Sequence, residues 1–259
     1  MDRTSGPAPA PTGTQAIDRA AELLRLVVES ERPRTFTSLM AETGLAKSTV
    51  SRLLQALERH HLLRRDQEGA FRAGPVFTRY ALRGDITDTL VDLAGPTLER
   101  LGERTGETVT LAVPRFGEVI TVAQVDSSYL LSATSWIGLD LPTHCTASGK
   151  VFYAHGRLPL PVDGDLPART ERSITSPDVL AREFPEIHRR GYAVARDELE
   201  IGLVAIGAPV FASDAAVIAT IAVTGPTARL DRRRTGEAGA LLVEETGTLS
   251  ALLGHRPPP

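Results

Sequence analysis

The chain has 259 residues, 42% of them apolar, with one cysteine and a formal net charge of −3. This length and apolar fraction suit two modest domains with cores of their own, and a single cysteine excludes an internal disulfide framework. No apolar run approaches the about 18 residues that a membrane span requires. Residues 1–13 are rich in glycine, proline, alanine and threonine and lack the apolar centre of a signal peptide. We therefore expect a disordered tail there and a cytoplasmic protein.

Two helices are predicted directly after this tail. The first has an apolar face that we expect to pack beneath the helices that follow, formed by Ile17, Ala21, Leu24 and Val28. The second runs from Phe36 to Thr43, and Gly44 after it favours a turn.

A third helix follows Gly44 and has two contrasting faces. Its apolar face repeats at the i, i+3, i+4, i+7 spacing of a helix and consists of Val50, Leu53, Leu54 and Leu57. Its polar face consists of Ser48, Thr49, Ser51, Arg52, Gln55 and Arg59. Small hydroxyl groups permit close approach to DNA, and arginine reaches guanine edges or phosphates. The pattern is typical of a helix-turn-helix, although an ordinary pair of antiparallel helices with a solvated face has it too.

A basic hairpin is predicted directly after the third helix, which ends at His60 and His61. Leu63 to Arg65 and Ala70 to Arg72 have the composition of short strands, and the residues between them favour a turn. Such a hairpin beside a recognition helix is a wing, whose arginines reach phosphates or the minor groove. The sequence therefore predicts a winged helix-turn-helix domain over residues 14–74.

Charge is distributed unevenly along the chain. Residues 43–74 hold six basic side chains against three acidic ones, a local charge of +3, so the remainder must sum to −6. A basic head on an acidic body confines attraction for DNA to one surface.

A helical linker is predicted over residues 75–104. Its first helix runs from Pro75 to Arg83, is broken by Gly84-Asp85, and has one face formed by Phe77, Tyr80 and Ala81. Its second helix runs from Ile86 to Arg104 and has an apolar face formed by Leu90, Ala94, Leu98 and Leu101. Gly95-Pro96 should kink the second helix or split it in two. Such helices pair with a second copy of the chain or pack on their own domain, and the sequence favours neither.

Residues 105–254 change to a β-rich pattern, with a short tail at 255–259. Strands are predicted at Thr108 to Val113, Glu118 to Val125, Tyr129 to Ala133, Tyr192 to Ala195, Val204 to Phe211 and Val217 to Val223. Helices are predicted at Ala147 to Ala154, Asp178 to Arg190 and Arg232 to Leu253, and an irregular connection at Arg157 to Arg172. Strands with helices segregated between them imply an α+β domain built on an antiparallel sheet.

Few side chains of the second domain indicate chemistry. His144 and Cys145 are adjacent on a segment that we expect to be extended, so they point to opposite faces and form no nucleophile–base pair. No CxxC, HxxxH or HExxH spacing is present. We expect no catalysis, no metal and no cofactor, with Cys145 as a small buried residue near a pocket.

Three further features each have two interpretations. The carboxylates of Asp197, Glu198 and Glu200 form a solvated loop or the edge of a pocket. Trp136 packs in the core or at an interface, or it lines a pocket. The run of arginines at 232–234 has the composition of a nucleic-acid-binding patch, but it opens the last helix on the effector side, which favours a solvated or interface role.

Three strings, in this order and spacing, resemble the IclR family of bacterial transcriptional regulators. They are GLAKSTVSRLLQALE at residues 44–58, LPTHCTASGKVFYA at 141–154, and GYAVARDELEIGLVAIGAPVF at 191–211 with ATIAVTGP at 219–226. The resemblance covers nearly all of residues 16–254. It implies a GAF-like C-terminal domain that binds a small organic effector, and a homodimer or a dimer of dimers.

The resemblance also implies which residues line the effector pocket. Together with Trp136 and Cys145 from their position, the candidate effector-binding residues are Ala147, Ser148, Gly149, Ala195, Asp197, Glu200, Ala205, Ala222 and Thr224. The backbone amides of residues 147–149 open a helix and would suit a carboxylate. Family members that bind small keto acids have polar side chains where Ala195, Ala205 and Ala222 fall. We therefore expect an effector with an apolar or aromatic body and a carboxylate or carbonyl end.

The sequence thus predicts a DNA-binding transcriptional regulator, most simply a repressor, that binds double-stranded operator DNA and no membrane. Candidate base contacts are Thr49, Ser51, Arg52 and Gln55, and candidate phosphate or minor-groove contacts are Lys47, Ser48, Arg64, Arg65 and Arg72. The alternatives are an activator of the same architecture, a small-molecule enzyme with an accessory DNA-binding domain, and an architectural DNA-binding protein.

Overall fold

The computed structural model describes residues 14–30, 32–82, 86–129, 135–139, 141–161 and 166–256. The chain divides into two compact units, Met1–Ile86 and Thr87–Pro259. The division falls inside the segment for which the sequence predicts a helical linker. No helix within the described residues is both long enough and apolar enough to cross a membrane.

The first unit begins with three helices, α1 (Gln15–Val28), α2 (Phe36–Thr43) and α3 (Lys47–Arg59). The hydroxyl of Thr35 caps α2 by accepting a hydrogen bond from the amide of Ser38. Helix α2 ends at Gly44, whose φ of 63° lies in the left-handed region that glycine adopts without strain. The predicted turn between α2 and α3 is therefore present.

The buried face of α1 differs from the predicted one. Leu23 and Val27 lie in the core, whereas Ile17 is 67% exposed and Val28 is 40% exposed. Leu24 is half-buried against the core. Two apolar stripes run side by side along α1, both at helical spacing. The stripe that packs against the other helices contains Leu23 and Val27, each one residue before its counterpart in the predicted stripe.

The core of the first unit confirms the two faces of α3. Val50, Leu54 and Leu57 are buried together with Leu39 of α2, and Leu53 packs against them. The polar side chains of the opposite face are left outside this core.

A hairpin follows, with β1 at Leu63–Arg65 and β2 at Phe71–Ala73. The carboxylate of Asp66 accepts hydrogen bonds from the amides of Glu68 and Ala70, which closes the turn. Strand β2 begins one residue later than predicted because this Asp66 cap includes Ala70 in the turn. The next helix is α4 (Pro75–Leu82). The predicted break at Gly84-Asp85 lies outside the described residues.

The long helix α5 (Ile86–Thr105) belongs to the second unit from its second residue onward, and it continues through Pro96. Of the two predicted effects of Gly95-Pro96, a kink or a split, the split is wrong. The predicted apolar face of α5 lies in the core of the second unit, as Leu90, Ala94, Leu98 and Leu101. This face of α5 therefore packs on its own domain, which is one of the two interpretations of the helix.

Within the described residues, five antiparallel strands form the sheet of the second unit, in the spatial order β4-β3-β7-β6-β5. They are β3 (Thr108–Arg115), β4 (Glu118–Val125), β5 (Ala193–Arg196), β6 (Leu203–Phe211) and β7 (Val217–Pro226). The residues of α5 and of α9 (Arg232–Leu252) share one core with alternate residues of β3, β6 and β7. Helix α6 (Ala147–Ala154) packs against β5, β6 and β7. It lies on the other face of the sheet, towards which the intervening residues of the strands point.

Two predicted elements of the second unit need correction. The helix predicted at Asp178 to Arg190 is two helices, α7 (Pro177–Ala181) and α8 (Phe184–Arg190). Pro185 lies in the first turn of α8, where its missing amide hydrogen is tolerated, so it starts a helix instead of continuing one. Residues 130–133 of the predicted strand Tyr129 to Ala133 lie outside the described residues, and Tyr129 itself is in a bend.

Candidate functional site

The outward face of α3 is the first candidate site. Lys47, Ser48, Arg52 and Gln55 are exposed, and Thr49 and Ser51 are half-buried beside them. No side chain caps the start of α3 at Ala46. The first turn of α3 therefore presents backbone amides and a lysine, a combination that attracts phosphate, while the next turns present hydroxyl, guanidinium and amide groups.

The wing arginines have different surroundings. Arg64 and Arg72 are opposite each other in the β1–β2 register, and both are exposed. Arg72 Nε lies 3.6 Å from a carboxylate oxygen of Asp66. Arg65 donates from Nε to Glu58 at 3.0 Å, and its guanidinium lies 4.5 Å from the centre of the Phe71 ring. Arg64 is therefore better placed for phosphate than Arg65 and Arg72, each of which must leave a carboxylate to bind one.

A cavity between α6 and the sheet is the second candidate site. It leaves about 60 Å³ in which the centre of a water molecule can move. Since one water needs about 10–15 Å³ of such space, the cavity has room for a small organic molecule. Eight of the candidate effector-binding residues line it, namely Trp136, Cys145, Ala147, Ser148, Ala195, Ala205, Ala222 and Thr224.

Three candidate residues do not line the cavity. Gly149 packs against the Thr143–Cys145 turn, where an added Cβ would overlap the carbonyl oxygen of Thr143, and its amide donates to the Thr146 hydroxyl. The Asp197 carboxylate accepts from the amide of Gly202 at 2.7 Å, which closes a turn. Glu200 is exposed.

Further lining residues were absent from the predicted set. They are Thr110, Ala112, Val119, Thr121, Leu141, Thr146, Leu199 and Leu203. Two of them had a signal in the sequence, because Thr110 and Ala112 alternate along β3 with the large apolar residues of the opposite face. Leu141 and Leu199 come from irregular segments, for which the sequence holds no comparable pattern.

A buried ion cluster lies on α6 next to the cavity wall. The ammonium of Lys150 is completely buried and donates to Glu183 at 2.8 Å, to Glu198 at 2.6 Å and to the carbonyl oxygen of Val194 at 3.3 Å. Burial raises the pKa of the Glu198 carboxyl, and the charge of Lys150 opposes this. Neither predicted interpretation of Glu198, a solvated loop or a pocket edge, is correct. The sequence gives a weak signal for this cluster, a lone lysine in an otherwise apolar helix.

His144 and Cys145 lie in a turn of 3₁₀ helix, Thr143–Cys145, and not in an extended segment. The Nε2 of His144 donates to the carbonyl oxygen of Pro167 at 3.0 Å, and burial lowers the pKa of this imidazole. Burial raises the pKa of the Cys145 thiol. A protonated thiol is a poor nucleophile. Among the described residues, no group of three or more histidine, cysteine, aspartate or glutamate side chains is arranged to hold a metal ion.

A winged helix-turn-helix unit and an α+β unit with an internal cavity, on one chain, define the class of DNA-binding regulators that carry their own effector-binding domain. Two family models match this chain. The IclR helix-turn-helix domain matches residues 16–67, and the C-terminal domain of the bacterial transcriptional regulator IclR matches residues 87–251. The chain belongs to the IclR family of bacterial transcriptional regulators.

Individual relatives extend over nearly the whole chain. The transcriptional regulator BhcR of Paracoccus denitrificans is 31% identical over 92% of this chain and 87% of its own length. The transcriptional repressor IclR of Escherichia coli is 28% identical over 95% of this chain and 93% of its own length. The crystal structure of an IclR-type regulator from Silicibacter sp. TM1040 has a TM-score of 0.76 at 25% identity, covering 94% of this chain and 98% of that one. The protein is a transcriptional regulator of this family and not an enzyme.

Proposed function

We propose that this protein is a repressor whose homodimer binds a pseudo-palindromic operator. The α3 helices of two copies would lie in successive major grooves, about 34 Å apart. The observation that carries this proposal is the outward face of α3, which is polar and accessible while its opposite face is buried. The Escherichia coli relative is a transcriptional repressor, which favours repression over activation. Because operator DNA lies in the bacterial cytoplasm, we place the protein there.

Within this face, the base contacts are Thr49, Ser51, Arg52 and Gln55, which point outward from the middle turns of α3. The phosphate or minor-groove contacts are Lys47 and Ser48 at the start of α3 and Arg64, Arg65 and Arg72 in the wing. The exposure of Lys47, Arg52, Gln55, Arg64 and Arg72 supports these roles.

Helix α1 supplies the dimer contact in this proposal. Ile17 and Val28 are large apolar side chains that the first unit leaves exposed, and Ala21 lies exposed between them. Operator symmetry requires a two-fold dimer, and an exposed apolar helix face can pack against its own copy about such an axis. A dimer of dimers would need a second contact.

The cavity of the second unit is the effector site in this proposal. Ala195, Ala205 and Ala222 place three methyl groups in its wall, which favours an effector with an apolar or aromatic body over a small keto acid. The polar end of the effector is a carboxylate or a carbonyl. Tight binding of pyruvate or glyoxylate in a titration would contradict this part of the proposal.

The operator can be found with the protein itself. Repeated selection from a random DNA pool should enrich an inverted repeat whose half-sites are one helical turn apart, and mobility-shift titration should show a dimer on it. Enrichment of no sequence would contradict specific operator binding. In transcription assays with that operator overlapping a promoter, the protein should lower transcript yield, whereas a rise would identify an activator.

A further inference from the structure

The cavity wall of the second unit has polar groups but no charges. Of the residues that line the cavity within the described part of the chain, none is acidic or basic. Its polar side chains are hydroxyls, such as those of Thr110 and Thr224, together with the Cys145 thiol and the Trp136 indole. An ionised ligand would therefore lack a side chain of opposite charge in the wall.

The start of α6 offers hydrogen-bond donors for one polar end of a ligand. Ala147 and Ser148 line the cavity, and their amides are the first two of the helix, which have no partner within it. Gly207 lets β6 approach this point closely, because an added Cβ there would lie 3.1–3.2 Å from atoms of Ala147 and Ser148. The third amide, of Gly149, is already bound to the hydroxyl of Thr146. Two amide donors of α6 therefore remain, in addition to the buried indole Nε1 of Trp136 in the wall, which has no hydrogen-bond partner among the described residues. Together they are enough for one carbonyl oxygen.

The ammonium of Lys150 cannot serve as a counter-ion. Lys150 lies on the same helix, but its three ammonium protons already have three acceptors, Glu183, Glu198 and the Val194 carbonyl. The two carboxyl groups of the cluster outnumber its one ammonium, so the cluster has no excess of positive charge to offer a ligand. A carboxylate placed in the cavity would therefore gain no ion pair from it.

The partial positive charge at the start of α6 does not replace a counter-ion. A helix N-terminus carries about half a positive charge, and Thr146 already caps one of its amides. A carboxylate that leaves water without a counter-ion loses far more solvation free energy than a ketone or ester carbonyl does.

We propose that the effector of this protein is an uncharged molecule, with an apolar or aromatic body and one carbonyl-type acceptor that binds the amides of Ala147 and Ser148. The inference rests on the proposed function of the cavity as the effector site. The proposed function allows a carboxylate or a carbonyl as the polar end of the effector, and this inference selects the carbonyl.

The test compares two probes of similar size, uncharged acetophenone and anionic benzoate. Calorimetric titration of the full-length protein at pH 7.5 should show acetophenone binding at least about tenfold more tightly than benzoate. Ala205→Leu fills the cavity and should abolish acetophenone binding. Equal or tighter binding of benzoate, or the absence of binding by either probe, would overturn the inference.

A charge variant tests the role of the buried cluster. Glu198→Gln removes one of the two carboxyl groups of the cluster and should reduce the preference for acetophenone over benzoate several-fold. Glu244→Gln makes the same charge change at an exposed position of α9 and should leave the preference unchanged. Thermal melting of both variants verifies folding, and if Glu198→Gln does not fold, Glu183→Gln makes the equivalent change. An unchanged preference in a folded variant would contradict the electrostatic argument.

Operator release separates this inference from the proposed function. If acetophenone binds but does not alter operator affinity, the regulatory role of the cavity fails and its preference for uncharged ligands stands. If benzoate binds more tightly and releases the operator, the inference fails and the proposed function stands.

Discussion

Arg52 and Arg65 both belong to the winged helix-turn-helix unit but have different surroundings. Arg52 is exposed on the outward face of α3, with no carboxylate partner among the described residues. Arg65 is held by Glu58 and by the ring of Phe71. The first is therefore available to a base edge, whereas the second contributes mainly positive charge near the DNA.

Arg52→Ala should weaken operator binding by about 1–3 kcal/mol and reduce the preference for the operator over random DNA. Arg65→Ala should weaken binding to both DNAs by a similar factor. Mobility-shift titrations of the two variants on both DNAs measure this. Equal losses on operator and random DNA for Arg52→Ala would contradict a base contact.

His155 should make the protein sensitive to acid. Burial and the neighbouring charge of His188 lower its pKa from 6.5 to about 4. The unfolded chain therefore binds a proton at this residue between these two pH values while the folded chain does not, so stability is full above pH 6.5 and falls as the pH drops towards 4. The loss is about 3 kcal/mol at the lower end.

His155→Phe keeps an aromatic ring against Phe211 and removes the titration. Its free energy of unfolding, measured with urea, should fall less between pH 6.5 and pH 4 than that of the wild type. His60→Gln, at an exposed position, is the matched control and should retain the wild-type slope. A wild-type slope in His155→Phe would show that acid acts elsewhere.

At the scale of the element, α6 depends on the close packing of Gly149. In most helices an exchange of glycine for alanine stabilises the fold by about 0.5–1 kcal/mol. At Gly149 the new methyl group would overlap the backbone of Thr143, so Gly149→Ala should instead destabilise the second unit by about 1–3 kcal/mol.

Gly236→Ala is the control for this prediction. Gly236 lies in α9, and an added Cβ there has open space around it. Urea unfolding followed by circular dichroism should show this variant to be as stable as the wild type or more so. If both variants gained stability, the close contact between α6 and the Thr143–Cys145 turn would be absent in solution.

Elements with one clear periodicity were predictable from the sequence, and elements with two competing signals were not. The single apolar face of α3 is buried as expected. Helix α1 has two apolar stripes, and only its neighbours decide which one is buried. The segment at 178–190 has helical spacing throughout, and the position of Pro185 decides where it breaks.

The cavity was predictable where the family resemblance aligned small residues such as Ala195, Ala205 and Ala222. It was not predictable where distant segments meet. The ion cluster joins Lys150 to Glu198, which are 48 residues apart, and no local pattern encodes that pairing. Glu198 and its exposed neighbour Glu200 have the same side chain, and only the tertiary fold distinguishes them.

At the scale of the whole molecule, charge separation should determine the salt dependence of DNA binding. The head carries the +3 of residues 43–74 on a chain whose total charge is −3. The slope of log affinity against log salt is about 0.9 for each phosphate neutralised. Replacing Lys47, Arg64 and Arg72 together by alanine should therefore reduce the slope by about 2.7 for each head bound.

The control neutralises three exposed carboxylates of the second unit, Asp214, Glu237 and Glu244. Net charge changes by the same amount in the opposite direction, but no contact to phosphate is altered. The slope of this variant should equal that of the wild type. A large change would mean that net charge, and not the local surface of the head, controls DNA binding.

Trp136 is the only tryptophan of the chain, and it lies in the wall of the cavity. The protein therefore contains an intrinsic fluorophore at the position where a ligand would bind, with no second indole to mask its emission. Molecules that enter the cavity should shift or quench that emission. A metabolite collection can thus be screened on unlabelled protein, before any operator or target gene is known.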